Sequence, residues 1–541
     1  MVAPRSYEAL RSTFRWRVPA RFDISDATVG RHARRRPRAL ALIVEDESGT
    51  TRRFTFGEID ELANRLANVL VAHGLRPGDR LAILLSQRVE TGVAHLAAYR
   101  AGLIAVPLFV LFGPEALEYR LRDSGAVALI TDEASWPKVA SIRDHLPELR
   151  TSIVVDGRGV DGTLDFDAAI GRAAPSFRSG PIAAEDAAII IYTSGTTGPP
   201  KGALHAHRFL LGHLPGVRLP HEFPPRSGDV FWTPADWAWI GGLYDVLFPA
   251  WYWGLPVVAS RARRFDPGSA MDLMVRHGVR NVFLPPTALK LMRQAGAGAS
   301  AGLRLRSVGS GGETLGGELL EWGRSTLGVT INEFYGQTEC NLVVANSAGM
   351  MPVRPGSMGR AVPGHTVAVL DDDGAPVPPG VVGEVAVRRP DPVMFLRYWN
   401  APDATAAKFT GEWLLTGDRA SMDEDGYLWF QARTDDVITT SGYRIGPGEI
   451  ESCLLGHPAV SMAAVVGVPD PIRTERIKAF VVLAAGHRPS AALTAELQDH
   501  VRTRLAAHEY PREIEYLPEL PLTATGKIVR RELRARATDR S

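Results

Sequence analysis

Residues 192 to 202 read Tyr-Thr-Ser-Gly-Thr-Thr-Gly-Pro-Pro-Lys-Gly and follow directly on the apolar run Ala187 to Ile191. That order predicts a buried strand emptying into a loop suited to anions. Gly195, Gly198 and Gly202 lack a β-carbon, so backbone N–H groups can turn toward a phosphate, while Thr193, Ser194, Thr196 and Thr197 add hydroxyl donors and Lys201 adds charge. A nucleotide triphosphate is the expected occupant. The loop departs from the common NTPase pattern, because Gly202 follows the lysine where that pattern needs a magnesium-binding Ser or Thr.

Five further stretches carry residue types that chemistry uses. Trp232-Thr-Pro-Ala-Asp-Trp-Ala-Trp-Ile-Gly-Gly242 is rich in indole, although core packing also explains any one of Trp232, Trp237, Trp239, Trp251 and Trp253. Ser310-Gly-Gly-Glu-Thr314 and Asn332-Glu-Phe-Tyr-Gly-Gln-Thr-Glu339 each follow a short apolar run, at the strand ends where α/β proteins place ligand loops. Thr416-Gly-Asp418 offers a carboxylate to hydroxyl donors, and Leu522-Thr-Ala-Thr-Gly-Lys527 sets a lysine close to the C-terminus.

Taken in order, these stretches resemble the adenylate-forming superfamily over nearly the whole chain, with the nearest likeness to its short- and medium-chain acyl-CoA synthetases. The resemblance implies that Thr193, Ser194, Gly195, Thr196, Thr197, Gly198 and Lys201 hold the ATP phosphates. It implies that Gly311, Gly312, Glu313 and Thr314 lie beside adenine, that Tyr335 stacks on the base and that Thr338 bonds the α-phosphate. Glu339 would hold magnesium, Asp418 and Arg433 the ribose, Arg444 a phosphate, and Lys527 would be the catalytic lysine. Trp237, Trp239 and Gly336 would line the acyl pocket; acetate-specific relatives place Trp at the Gly336 position, so the pocket floor is expected to be open. Gly442, Tyr443, Arg473 and Arg502 would meet CoA, and Asp435 would be the hinge about which a small domain turns between two half-reactions. A cation at Lys527 has a chemical reason: carboxylate attack on the α-phosphate brings two anions together. The activity so implied is an ATP-dependent acid:CoA ligase using Mg2+, on acids larger than acetate. Two alternatives remain: loading of a carrier-protein pantetheine, and a non-catalytic nucleotide sensor, for which Lys527 has no use.

The elements that must position these residues are legible too. Apolar runs and helix-like segments alternate from about residue 40, the pattern of parallel sheets covered by helices. Thr55 with Glu58 makes a capping box before Ile59, Leu62, Ala63, Leu66 and Leu70, with Gly74 as the stop. Arg80 to Leu85, Val279 to Leu284, Leu305 to Val308 and Val329 to Phe334 read as strands. A large α/β domain of residues 1–434 and a small mobile α+β domain of residues 435–541 are expected; the latter has strands at Val460 to Val468 and Ala479 to Leu483 and a helix near Leu493 to Leu505.

Composition narrows the class. The 541 residues are 45% hydrophobic and 22% charged, with a formal net charge of +1, which argues against a nucleic-acid binder. The run Arg34, Arg35, Arg36 and Arg38 reads as a solvated helix end. With only Cys340 and Cys453, no disulfide framework is expected. Met1 to Arg15 carries charges and no long apolar run, so neither a signal peptide nor a membrane span is expected, and the cytosol is the default compartment.

Overall fold

The computed structural model describes residues 6–157, 160–193, 199–260, 265–296, 302–433, 436, 438–440, 443–470, 474–504, 510–523 and 527–538. The chain forms two compact units. The first comprises Met1–Arg354, Gly359–Thr366 and Arg388–Trp413, and the second Pro355–Met358, Val367–Val387 and Leu414–Ser541. A cut at 434/435 falls inside the second unit, because the strands Trp413–Met422 and Tyr427–Arg433 pair with each other and, through the former, with Val382–Arg388.

In the first unit one sheet runs in the order Arg397–Tyr398, Lys201–Ala206, Ala187–Thr193, Ile104–Pro107, Arg80–Leu84, Ala128–Asp132, Thr151–Val155 and Leu164–Asp165. Its body is parallel, and the first two strands are antiparallel additions. A strand of a parallel sheet is covered on both faces, which is why Ala187 to Ile191 is uninterrupted in its apolarity and Ile189 and Ile190 are fully buried. The other sheet sets Asn281–Phe283, Ser307–Gly311 and Ile331–Gln337 side by side and parallel, with Cys340–Ala345 returning antiparallel beside the last. The carboxyl ends of these strands lie together. That adjacency is what brings residues 310 to 314 close to residues 333 to 335, with Gly311 opposite Phe334 in register.

The helix Phe56–Ala72 starts as its sequence predicts. Glu58 N–H donates to Thr55 Oγ1 at 3.3 Å and Thr55 N–H donates to Glu58 Oε2 at 2.7 Å, which completes the capping box, and Gly74 follows at φ +84°. Such a cap contributes about 1 kcal/mol, while each leucine-sized side chain this helix buries contributes roughly 1.5 to 3 kcal/mol, so packing decides the helix and the cap decides where it starts. Its neighbour Val89–Arg100 is buried almost all round, and Trp251 lies so close to Gly92 that a β-carbon there would meet the indole at 2.6 Å. Trp251 and Trp232 are therefore core residues.

The second unit has an antiparallel sheet of Val367–Leu370, Val382–Arg388, Trp413–Met422 and Tyr427–Arg433, and a five-stranded one centred on the hairpin Val460–Asp470 and Thr474–Leu483. Side chains of a strand alternate between faces. Ala463, Val465, Ala479 and Val481 accordingly join Leu493 and Leu497 on one face, while Ala464, Val466 and Phe480 join Leu533 and Ala537 on the other. The strand expected at Ala479 begins at Thr474 instead. Thr474 to Lys478 is polar and carries no apolar run to announce it, yet each of these residues finds a ladder partner on Val466 to Asp470.

Candidate functional site

The phosphate-loop motif folds as a hairpin. Ala187–Thr193 and Lys201–Ala206 are antiparallel, and Thr193 stands opposite Lys201 in register, so both ends of the loop are pinned by strand pairing. Ser194, Gly195, Thr196, Thr197 and Gly198 lie outside the described residues. Lys201 sits with its Nζ 5.5 Å from the ring centroid of Tyr398. The Tyr398 hydroxyl in turn donates to Glu339 Oε1, and Glu339 is only 6% exposed. One tyrosine therefore gathers the lysine of the phosphate hairpin and the candidate magnesium carboxylate.

The strand Arg397–Tyr398 makes this meeting possible. Tyr398 pairs opposite Ala203, Leu396 N–H donates to Leu204 O at 2.7 Å, Trp399 N–H donates to Gly202 O at 2.7 Å, and Phe395 N–H donates to Glu339 O at 2.9 Å. Nothing in the motif stretches announces Tyr398. Magnesium keeps several waters and takes one or two carboxylates together with substrate phosphates. The single buried carboxylate of Glu339 beside Lys201 fits such an ion, and among the described residues no group of three or more His, Cys, Asp or Glu offers a different cage.

At the turn expected beside adenine, the backbone at Gly311 packs against Phe334 so closely that a β-carbon would meet the ring at 2.5 Å, and Gly312 has φ +95°. Both glycines are required by the turn. Glu313 accepts the Thr287 hydroxyl at 3.2 Å, and Thr314 is exposed. Behind this turn lies a residue that the motif reading passed over. Glu333 is buried, its carboxyl accepts the Leu315 N–H, and burial pushes its pKa up to about 8, so it is a neutral acid at neutral pH. Tyr335 and Gln337 flank the irregularity in the pairing of Ile331–Gln337 with Cys340–Ala345, and Thr338 follows in the turn between those strands.

Trp237 is 1% exposed, and Trp239 stands 5.7 Å from the Phe109 ring and 6.1 Å from the Phe112 ring, centroid to centroid. Gly241 abuts Phe283, which is 5.3 Å from Phe334. Aromatic contacts thus run from the Trp-rich stretch toward the adenine-side turn. Gly336 departs from expectation. A β-carbon there would lie 2.2 Å from Leu342 N and 2.8 Å from Asn341 Cα, so the direction in which a side chain would grow is filled by backbone. The missing side chain answers a close approach of two strands. Asn341 itself donates to Asp245 Oδ1 at 2.6 Å and faces His213 Nε2 at 3.1 Å. Burial drives the Asp245 carboxyl well up and the His213 imidazole down to about 3, so both are biased toward their uncharged forms.

In the second unit Asp418 and Arg433 are register partners, and Arg433 Nη1 lies 3.2 Å from Asp418 Oδ1. The Thr416-Gly-Asp418 bend is tied by the Thr416 hydroxyl to Val385 O at 2.8 Å and by Gly417 N–H to Glu384 Oε1 at 2.8 Å, with Gly417 at φ +76°. Arg502 pairs with Asp499 on its own helix at 2.7 Å. Lys527 is exposed, its N–H donating to Thr523 Oγ1 at 3.0 Å. Asp435, Gly442 and Arg473 lie outside the described residues, as do the side chains of Tyr443 and Arg444, whose backbones pair opposite Thr440 and Thr439.

Comparison with known proteins matches residues 29–399 to the model of the AMP-binding enzyme family and residues 449–527 to that of the AMP-binding enzyme C-terminal domain. The chain is 38% identical to the human mitochondrial acyl-coenzyme A synthetase ACSM4, over 92% of this chain and 87% of that protein. It is 36% identical to the acetyl-coenzyme A synthetase of Bacillus subtilis, over 94% of this chain and 89% of that one. Among solved structures, the anthranilate CoA ligase AuaEII in complex with anthranoyl-AMP superposes with a TM-score of 0.87 at 32% identity, covering 96% of this chain and 98% of its own.

Two outcomes follow from the geometry. Glu333 keeps its proton in the native state up to about pH 8 but would lose it near 4.5 when unfolded. The native state therefore binds more protons across that window, and this group's stabilisation is full below it and is lost as pH rises through it. Glu333→Gln cannot ionise, so the unfolding free energy of the variant minus that of the wild type should climb steadily across the window; a constant difference would show that Glu333 is charged in the fold. Gly336→Ala should cost about 1 to 3 kcal/mol through strand displacement and lower kcat/KM toward acetate and larger acids alike. Selective loss of the larger acids would return Gly336 to the role of a pocket floor.

Proposed function

This chain belongs to the family of AMP-binding enzymes and is an AMP-forming acid:CoA ligase, and we propose that it activates carboxylic acids larger than acetate, with an apolar or aromatic body. The observation that carries the site reading is Tyr398, which holds Glu339 and underlies Lys201 where the phosphate hairpin ends. In the first half-reaction the acid oxygen bonds to the α-phosphorus of ATP and the bond to pyrophosphate breaks. Lys201 offsets charge on the phosphates, Thr338 donates to the α-phosphate, and the Asp418 carboxylate accepts the ribose hydroxyls. Magnesium, held by Glu339, supplies Lewis-acid neutralisation of the phosphates when bound. In the second half-reaction the CoA sulfur bonds to the acyl carbon and AMP leaves. We assign Lys527 to the first step only, with residues 435–541 turning about Asp435 between the two steps, and Gly442, Tyr443, Arg473 and Arg502 toward CoA. We place the enzyme in the cytosol; no helix among the described residues is long and apolar enough to cross a membrane.

The aromatic surroundings of Trp239 support the larger acids, as does likeness to a ligase of anthranilate, whereas the acetyl-coenzyme A synthetase relative is the reason to measure acetate beside them.

Acid-dependent pyrophosphate release over acetate, butyrate, hexanoate and benzoate tests this directly. Each buried methylene contributes on the order of 0.8 kcal/mol, so hexanoate or benzoate should exceed acetate in kcat/KM by a hundredfold or more, with Trp239→Ala cutting the larger acids about tenfold and sparing acetate. A wild type that prefers acetate ends the assignment. Lys527→Ala should lower acyl-AMP formation by roughly a hundred- to a thousandfold, the usual cost of removing one charge-stabilising donor, while thioester formation from supplied acyl-AMP persists. Equal loss in both half-reactions would remove the lysine from its place in the first step alone.

A further inference from the structure

The second unit contains a half-buried ion network for which the ligase reading has no use. Glu451, on the helix Pro447–Leu455, accepts from Arg530 Nη2 at 2.7 Å on both carboxylate oxygens, and its Oε1 also takes the Val465 N–H at 2.8 Å. Burial presses the Glu451 carboxyl upward and the Arg530 guanidinium opposes that shift, so the pair is mutually dependent. Arg530 has a second partner: its Nη1 lies 3.5 Å from Asp436 Oδ2. Arg534 donates from Nη2 to Asp436 Oδ1 at 2.7 Å. Four-residue spacing puts both arginines on one face of the helix Arg530–Thr538, and that face holds Asp436 by both carboxylate oxygens.

The same helix anchors Lys527. Val529 N–H donates to Pro521 O at 2.8 Å, Thr523 N–H to Lys527 O at 2.6 Å, and Ile528 packs against the cluster that contains Val466, Phe480 and Leu533. Little slack is left between Lys527 and Arg530. The helix is already held in the core by Leu533 and Ala537, and Arg530 is already neutralised by Glu451. Contacts to Asp436 add little packing. What they fix is the place of residue 436, next to the proposed pivot at 435, relative to the lysine.

We propose that Arg530, Arg534 and Asp436 form a positioning clamp that locks Lys527 to the chain at residue 436, so that a turn about the pivot carries the lysine with it. This rests on the reading of Lys527 as the adenylation lysine. None of the three need touch substrate. Misplacement of a catalytic group by about 1 Å costs on the order of a hundredfold in rate, whereas ATP and acid binding need no help from the clamp.

The test uses the full-length chain with Asp436→Asn, Arg534→Gln and Arg534→Lys, reading acid-dependent pyrophosphate release, thioester formation from supplied acyl-AMP, and the thermal midpoint. Asp436→Asn and Arg534→Gln should lower the kcat of the first half-reaction by about ten- to a hundredfold, with KM for ATP, the midpoint and the second half-reaction unchanged, and Arg534→Lys should recover most of the loss. An unchanged first half-reaction overturns the clamp, and so does a parallel fall in both half-reactions with a lowered midpoint, which is what a merely structural network would give. Lys527→Ala run beside them separates the two ideas. If it keeps adenylation, the role of the lysine is wrong; if it alone loses adenylation, only the clamp is.

Discussion

The proposed chemistry needs Glu339 and Lys201 to stand together, and in this protein two residues of strand, Arg397–Tyr398, meet that demand. Glu339 comes from one sheet of the first unit and Lys201 from the other, so no local segment can join them. The short strand adds itself to the edge of the phosphate hairpin through Ala203, and the chain just before it binds the Glu339 carbonyl through Phe395. Removing a charge from water is costly, and the Tyr398 hydroxyl offsets part of that cost for the buried Glu339 by satisfying one of its oxygens. The rest of the first unit is organised so that this edge pairing occurs at the carboxyl ends of its strands.

Burial shifts several ionisable groups of the first unit toward their uncharged forms. His95 and His207 are driven down to about 3 and His205 well below its ordinary value by burial alone or nearly so, and Asp245 and Glu333 are driven up. Polar contacts, such as those of Asn341 with Asp245 and His213, hold such groups in position.

Much of this was legible because it is local. The phosphate hairpin, the two adenine-side glycines and the capped helix at Thr55 each depend on residues within about a dozen positions of one another, and the resemblance rested on the same stretches. Tyr398 was not legible, since its meaning arises only when residue 398 pairs with residue 203. Glu333 sat in plain view inside a recognised motif, but its neutrality is a property of burial, which the order of residues does not display. The close approach at Gly336 was hidden for a related reason: an absent side chain looks like open space in a sequence, and only the fold shows the strand behind it. The polar opening of the strand Thr474–Leu483 escaped notice because ladder partners, not apolarity, make it a strand.

The close approach at Gly336 also bears on how an enzyme of this build acquires new substrates. Even one added methyl group here would strain two strands at once. A lineage that places Trp at this position, as acetate-specific relatives do, must therefore also move the strand at residues 341 and 342, so a change of residue 336 is expected to come with changes in the residues that pack that strand.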